Sequence, residues 1–366
     1  MARFTISPVR KLSKIGLTAL LIGISSVSFA VSPYINKVYE YSPAPGQFTN
    51  LLPAYEDGDT DVNMCQKAEE AIANNQQGMI SLGGWGGYVV FGFDHPVINV
   101  KDSFDLLVLG NAFYSNPENP SQGGSCEPGV IRVSYDANQN GEPDDEWYEI
   151  AGSEYGNKST YLDYELTYFR PSDDHVAMPD KTQPFITDTT YIAWTDNKGG
   201  KGYMNKLAYH TQPYFPQWIE VDQLTFSGTR LPDNGKYDGE KKIYLQYPYQ
   251  YGYADNHPNT ADAAKIKLDW AVKPDGSAAN LSAIHFVKVY TGVHQQYGAT
   301  GETSTEISGA EDLHPDAKEP EPEPEEDIEN MYGNSSHTIA HKHFHDGQIY
   351  IIRAGVKYNI QGMRIQ

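Results

Sequence analysis

Oxygen-bearing side chains crowd the segment Asp136-Ala137-Asn138-Gln139-Asn140-Gly141-Glu142-Pro143-Asp144-Asp145-Glu146. The spacing Asp-x-Asn-x-Asn-Gly matches the first half of an EF-hand-type calcium loop, in which alternate oxygens converge on one Ca2+ and the glycine takes the sharp turn. Asp136, Asn138, Asn140 and Asp144 fall at ligand positions, but Trp147 stands where the bidentate Glu belongs, so Asp145 or Glu146 must substitute. The loop joins two strand-like segments, so the expectation is a calcium-loop lookalike in a hairpin, with a dissociation constant on the order of 10⁻⁴ to 10⁻³ M. An acidic surface turn is the alternative, because Asp, Asn and Gly are also the common turn residues.

Other segments offer weaker chemistry. Asp255-Asn256-His257-Pro258-Asn259 with Asp262 is a candidate second metal loop, against a plain hydrogen-bonded loop. Tyr249, Tyr251 and Tyr253 share one side of an extended segment and, with Trp85 in its glycine run, are candidate stacking surfaces for a sugar or flat ligand. The alternatives are a sheet core for the tyrosines and a tight turn for Gly83–Gly87. Glu302, Glu306, Glu311 and Asp312 cluster in GETSTEISGAEDLH and could serve a glycoside-active enzyme if two lay at the right separation. His337, His341, His343 and His345 could share a strand face as metal ligands would, but a polar linker is the preferred reading of this segment. Neither His-Glu-x-x-His nor Gly-x-Ser-x-Gly occurs, so the sequence reads as a binding module before an enzyme, with no catalytic residue assigned.

The elements that must position these residues read as strands. Alternation in Leu162–Arg170 and apolar runs such as Tyr88–Phe93, Val130–Tyr135, Lys242–Tyr253 and Ile284–Val293 predict an all-β fold, β-sandwich or jelly-roll-like, with long loops. One short N-terminal helix is expected over Asp61–Asn75, with Asp61 or Asn63 as cap and Val62, Cys65, Ala68 and Ile72 facing inward. Four regions follow: residues 1–30, a binding domain over 31–314, an acidic Pro/Glu and His-rich linker over 315–345, and a strand-turn-strand tail over 346–366.

Residues 1–30 carry Arg3, Arg10, Lys11 and Lys14 before an apolar run and Ser28-Phe29-Ala30, the pattern of a cleaved secretory signal. The expected location is therefore secreted or on the cell surface, with no transmembrane segment after cleavage. There, Cys65 and Cys126 suggest one disulfide, closing a loop of about 60 residues and worth about 4 kcal/mol; two buried thiols are the alternative. A net charge of −21 excludes nucleic acid as a natural partner, because phosphate backbones would be repelled.

The blocks YSPAPGQF, SLGGWGGYVVFGFDHPV, VLGNAF, EPGVIRVSYDANQNGEPDDEWYEIAGSEY, YGYADNHPN, HFVKVYTGV and GETSTEISGAEDLH resemble a family of cell-surface proteins of Bacteroidales. The ending DGQIYIIRAGVKYNIQGMRIQ is similar to the last strands of the type IX secretion sorting domain. The resemblance implies a surface protein of an outer-membrane nutrient-uptake locus, with a small molecule or glycan as ligand and an outer-membrane transporter complex as partner. An adhesive or structural surface protein is the remaining alternative.

Overall fold

In a computed structural model of the chain, residues 31–318, 340–345, 348–353, 356–358 and 363–365 are described. Residues 1–30, expected to direct export, and the acidic run 319–329 lie outside the described residues. The fold is all-β with one short helix, and no helix among the described residues is long and apolar enough to cross a membrane. The chain divides into residues 1–317 and residues 318–366.

The larger unit is built on an antiparallel sheet running Lys37–Ser42, Tyr88–Ile98, Ala283–Thr291, Gly129–Ser134, Trp147–Ile150, Ala271–Val272, with Tyr253–Ala254 added to Gly129–Ser134. Its central strands are apolar on both faces: Val89, Val90, Phe91, Val287, Val289, Ile131 and Val133 are all buried. Such a strand needs cover on two sides. One face packs into the main core with Met64, Ala68 and Ile72 of the helix. The other approaches a second antiparallel sheet, ordered Lys201–Leu207, Ile186–Asp196, Tyr161–Phe169, Gln223–Arg230. Between them lies an aromatic cluster of Trp85, Tyr164, Tyr168, Tyr214 and Phe226.

Trp85 is fully buried, its ring edge-on to Tyr164 at 4.8 Å. The flanking glycines place it there. At Gly83 (φ +68°) a Cβ would lie 2.1 Å from the Ala44 carbonyl oxygen, and at Gly87 one would lie 1.9 Å from that of Leu82. The glycine run is a tight turn that drives an indole into the core, not a ligand platform.

The helix spans Asp61–Ile72, and Thr60 caps it through the Asn63 N–H while Asn63 returns the bond, a reciprocal capping box. Its buried face is Met64, Ala68 and Ile72, rotated from the expected one; Val62 is 76% exposed. Cys65 therefore points sideways, donating to the Val38 carbonyl, and both thiols are free. The expected disulfide is not formed.

The run Lys242–Tyr253 is not one strand either. Pairing stops at Gln246, Pro248 offers no N–H, and Gly252 turns the chain at φ +91° against Gly152. In the smaller unit a three-stranded sheet joins Ala340–His345, Gln348–Arg353 and Val356–Tyr358. The tail thus carries a third strand, taken from the His-rich segment expected to be linker.

Candidate functional site

Three carboxylates from distant parts of the chain meet inside the larger unit. Glu127 precedes the strand Gly129–Ser134, Asp255 follows Tyr253–Ala254, and Glu306 opens the two-residue strand Glu306–Ile307. One oxygen from each lies within 4.8 Å of the others. Glu306 and Asp255 are 2–3% exposed, while Glu127 is partly buried.

Backbone geometry fixes Asp255. It sits at φ +49°, a left-handed conformation that costs a non-glycine residue of order 1–3 kcal/mol. Its Oδ1 accepts from the N–H groups of Asn111 and Ala112, both at 2.8 Å, and Oδ2 from the N–H of Glu306 at 3.1 Å. The turn Gly110-Asn111-Ala112 wraps this carboxylate, and only a residue without Cβ fits at Gly110.

Glu127 and Glu306 face the space that remains. Glu127 takes long hydrogen bonds from Gln246 Nε2 at 3.3 Å and Ser125 Oγ at 3.5 Å. Glu306 Oε2 takes one from Asn111 Nδ2 at 3.5 Å, and its Oε1 is buried with no partner among the described residues. A buried carboxylate oxygen without a partner is costly.

The electrostatics follow from crowding. Burial pushes Glu127 up to about 7. Burial, then the charge of Glu127, holds Asp255 well above the usual carboxylate range. Burial, with the charges of Glu127 and Asp255, does the same to Glu306. Three such groups cannot all be ionised together without a counter-charge. Protons or a cation must supply it. An all-oxygen donor set suits a hard divalent ion such as Ca2+, Mg2+ or Mn2+.

The cluster opens on a cavity of about 330 Å³ lined by Gln47, Phe48, Asn111, Ser125, His210 and Thr300, along with Glu127 and Glu306. Phe48 and His210 meet edge-on at 4.8 Å. Ser125 places a hydroxyl, and Asn111 an amide nitrogen, beside the carboxylates. Close by, Glu302 is buried and pushed up to about 8 by that burial; Oε1 accepts from the Gln47 N–H, and Oε2 has no partner among the described residues.

The sequence-derived residues divide on inspection. In the 136–146 loop, Asp136 Oδ1 and Oδ2 accept from the N–H groups of Asn140 (3.1 Å) and Gly141 (2.9 Å). Asn138 and Asn140 donate to the two oxygens of Asp144, each at 3.0 Å, and Gly141 turns at φ +75°. Asp136, Asn138, Asn140 and Asp144 are thus brought together. Asp145 accepts instead from the Ala137 N–H, and Glu146 from the Tyr148 hydroxyl.

The second loop does not gather. Asp262 is exposed and paired with Lys265 at 2.7 Å, while Asn256 bonds the backbone N–H and C=O of Tyr249. Only Asp255 of that set reaches a candidate site. Tyr253 is buried, Tyr249 donates to the Pro232 carbonyl, and Tyr251 rests on Trp270 at 4.7 Å, so these rings with Trp85 form no shared wall.

Of the C-terminal acidic residues, Glu306 joins the cluster; Asp312 pairs with His95 at 2.9 Å, and Glu311 lies in the strand paired with Leu106–Leu109. Burial pushes the Cys126 thiol up to about 12, so it stays protonated and is no nucleophile. Glu127 was missed by sequence reasoning; its only signal is an acid set between Cys126 and the buried run Pro128-Gly129-Val130-Ile131.

No protein-family model matches the chain, and no curated protein is similar to it.

Proposed function

We propose that the chain is an exported, cell-surface or secreted binding protein that holds Ca2+ with Glu127, Asp255 and Glu306 and uses the adjoining cavity to capture a small, oxygen-rich ligand such as a nutrient or glycan. The observation that carries this reading is the buried Glu306 Oε1, without partner, among carboxylates that need a counter-charge. A divalent ion there satisfies that oxygen and relieves the repulsion. Calcium takes six to eight oxygens, and three carboxylates binding through one oxygen each leave positions that hydroxyls of a ligand in the cavity can fill.

The 136–146 loop is proposed as a second, weaker calcium site that stabilises the sheet end. The basic-then-apolar opening of the sequence supports export, and the ending of the chain supports delivery to the surface. An outer-membrane transporter is the partner such a role implies.

Calorimetric titration of calcium into the wild type and Glu306→Gln tests the reading. The expected result is saturable binding that the variant weakens by at least about tenfold, in line with loss of a carboxylate ligand. Equal heats from both proteins refute it. A proton-sharing pair of Glu127 and Glu306 is the second reading, favoured by their mutual contact; it makes the cluster an acid catalyst and predicts hydrolytic activity indifferent to chelator.

A further inference from the structure

A second cavity, of about 270 Å³, lies where Trp194 and Tyr203 of the second sheet meet Arg230, His294 and Tyr297. Trp194 lies against the backbone of Gly202, where a Cβ would come within 2.7 Å of the indole Cζ2, and meets the edge of His294 at 4.4 Å. Tyr164 donates to Asp196 at 2.7 Å, so its oxygen accepts from His294 Nδ1–H at 3.4 Å, which leaves Nε2 as an acceptor. Burial, aided by Arg230, lowers His294 to about 3 and keeps the ring neutral. Arg230 contributes donors; its Nε is buried without a partner among the described residues, and a terminal nitrogen lies 3.4 Å from Asp233.

An aromatic track leads to this cavity. Tyr297 stacks on Tyr244 at 4.8 Å, and Tyr244 meets Tyr237 at 5.1 Å across the hairpin Gly235–Asp238/Ile243–Gln246. Tyr237 is 56% exposed and Tyr244 38%. Rings in the core of a sheet are hidden; these line up at the surface and end at a pocket with donors, an acceptor and a tryptophan. Arg230 is balanced by Asp233, and the chain is strongly acidic, so an anionic ligand is disfavoured.

We infer that this track and cavity bind a neutral oligosaccharide, its ring faces laid on the exposed Tyr237 and Tyr244, with Tyr297 stacked behind Tyr244, and its terminal unit held by Trp194, Arg230 and His294. The inference rests on the binding-protein reading but not on the cation. Sugar rings offer apolar faces to aromatics and hydroxyls to the polar rim, and a track of several rings selects for length.

The test is calorimetry with cellohexaose, xylohexaose, mannohexaose and maltohexaose, plus an oligogalacturonate as acidic control, all in EDTA. The expected result is binding of at least one neutral hexaose and weaker binding of its disaccharide. Tyr244→Ala and Trp194→Ala should each weaken it by about tenfold with unchanged circular dichroism. No neutral hexaose binding at millimolar concentration, binding of the acidic control alone, or affinity unchanged in both variants overturns the inference. Neutral-hexaose binding that appears only when calcium replaces EDTA also overturns it, because that ligand belongs to the carboxylate cavity.

Discussion

Gly110 stands so close to Asp255 that a Cβ added to it would lie 2.5 Å from the Asp255 Oδ1. The backbone of one loop is thereby pressed onto the carboxylate of another, and two N–H groups close the contact. Gly110→Ala must push the loops apart. The expected outcome is a loss of about 2–4 kcal/mol in urea unfolding, from lengthened buried hydrogen bonds and local strain, together with loss of calcium binding at the carboxylate cluster. A variant of wild-type stability would show that the contact relaxes freely.

Asp255 does two jobs, which substitution separates. Asp255→Ala strands three backbone N–H groups in the interior and should cost about 3 kcal/mol or more. Asp255→Asn keeps an acceptor for the paired N–H groups and should cost less than half as much, while still lowering calcium affinity. Equal destabilisation by both, measured by chemical denaturation, would mean that charge rather than hydrogen bonding dominates.

Glu302 sets a pH dependence. Burial raises it from 4.5 in the unfolded chain to about 8 when folded. The folded state then binds more protons between those values, so its contribution to stability is present below about pH 4.5 and is lost as pH rises through about 8. Glu302→Gln should remove that slope, leaving stability near wild type at pH 5 and raising it by a few kcal/mol at pH 8 in chelator. Parallel stability curves for the two proteins across this range would contradict the assignment.

The thiols report on the missing disulfide. Cys126 is buried and its thiol is held protonated, whereas Cys65 is only partly covered. Titration with a thiol reagent should find one slowly reacting group in the native protein and two in denaturant, and reductant should leave the melting temperature unchanged. A melting temperature that falls with reductant would restore the bridge.

The all-β fold and the single helix were legible because period-2 alternation and an amphipathic run are local signals. The helix face was not, since Met64 and Cys65 compete for the same stripe and only packing against Lys37–Ser42 decides between them. The tyrosine run misled because Pro248 and Gly252 break it between rings that keep strand-like spacing. The carboxylate cluster had no local signal: Glu127, Asp255 and Glu306 are brought together by sheet pairing across more than a hundred residues of chain. The residues of the 136–146 loop are contiguous, and they close the hydrogen-bonded turn that Asp, Asn and Gly favour locally.

That loop gives a separate prediction. Asp136→Ala with Asp144→Ala removes the acceptors that fold it and should lower the calcium-dependent part of the melting temperature without abolishing calcium binding. Complete loss of calorimetric heat would place all binding in the loop.

The most direct measurement is anomalous diffraction from crystals soaked in Mn2+, which scatters where Ca2+ would sit. The predicted result is a peak about 2.1–2.6 Å from oxygens of Glu127, Asp255 and Glu306, as hard-cation coordination requires. Carboxylates that remain in contact with one another, with no peak between them, would contradict the account.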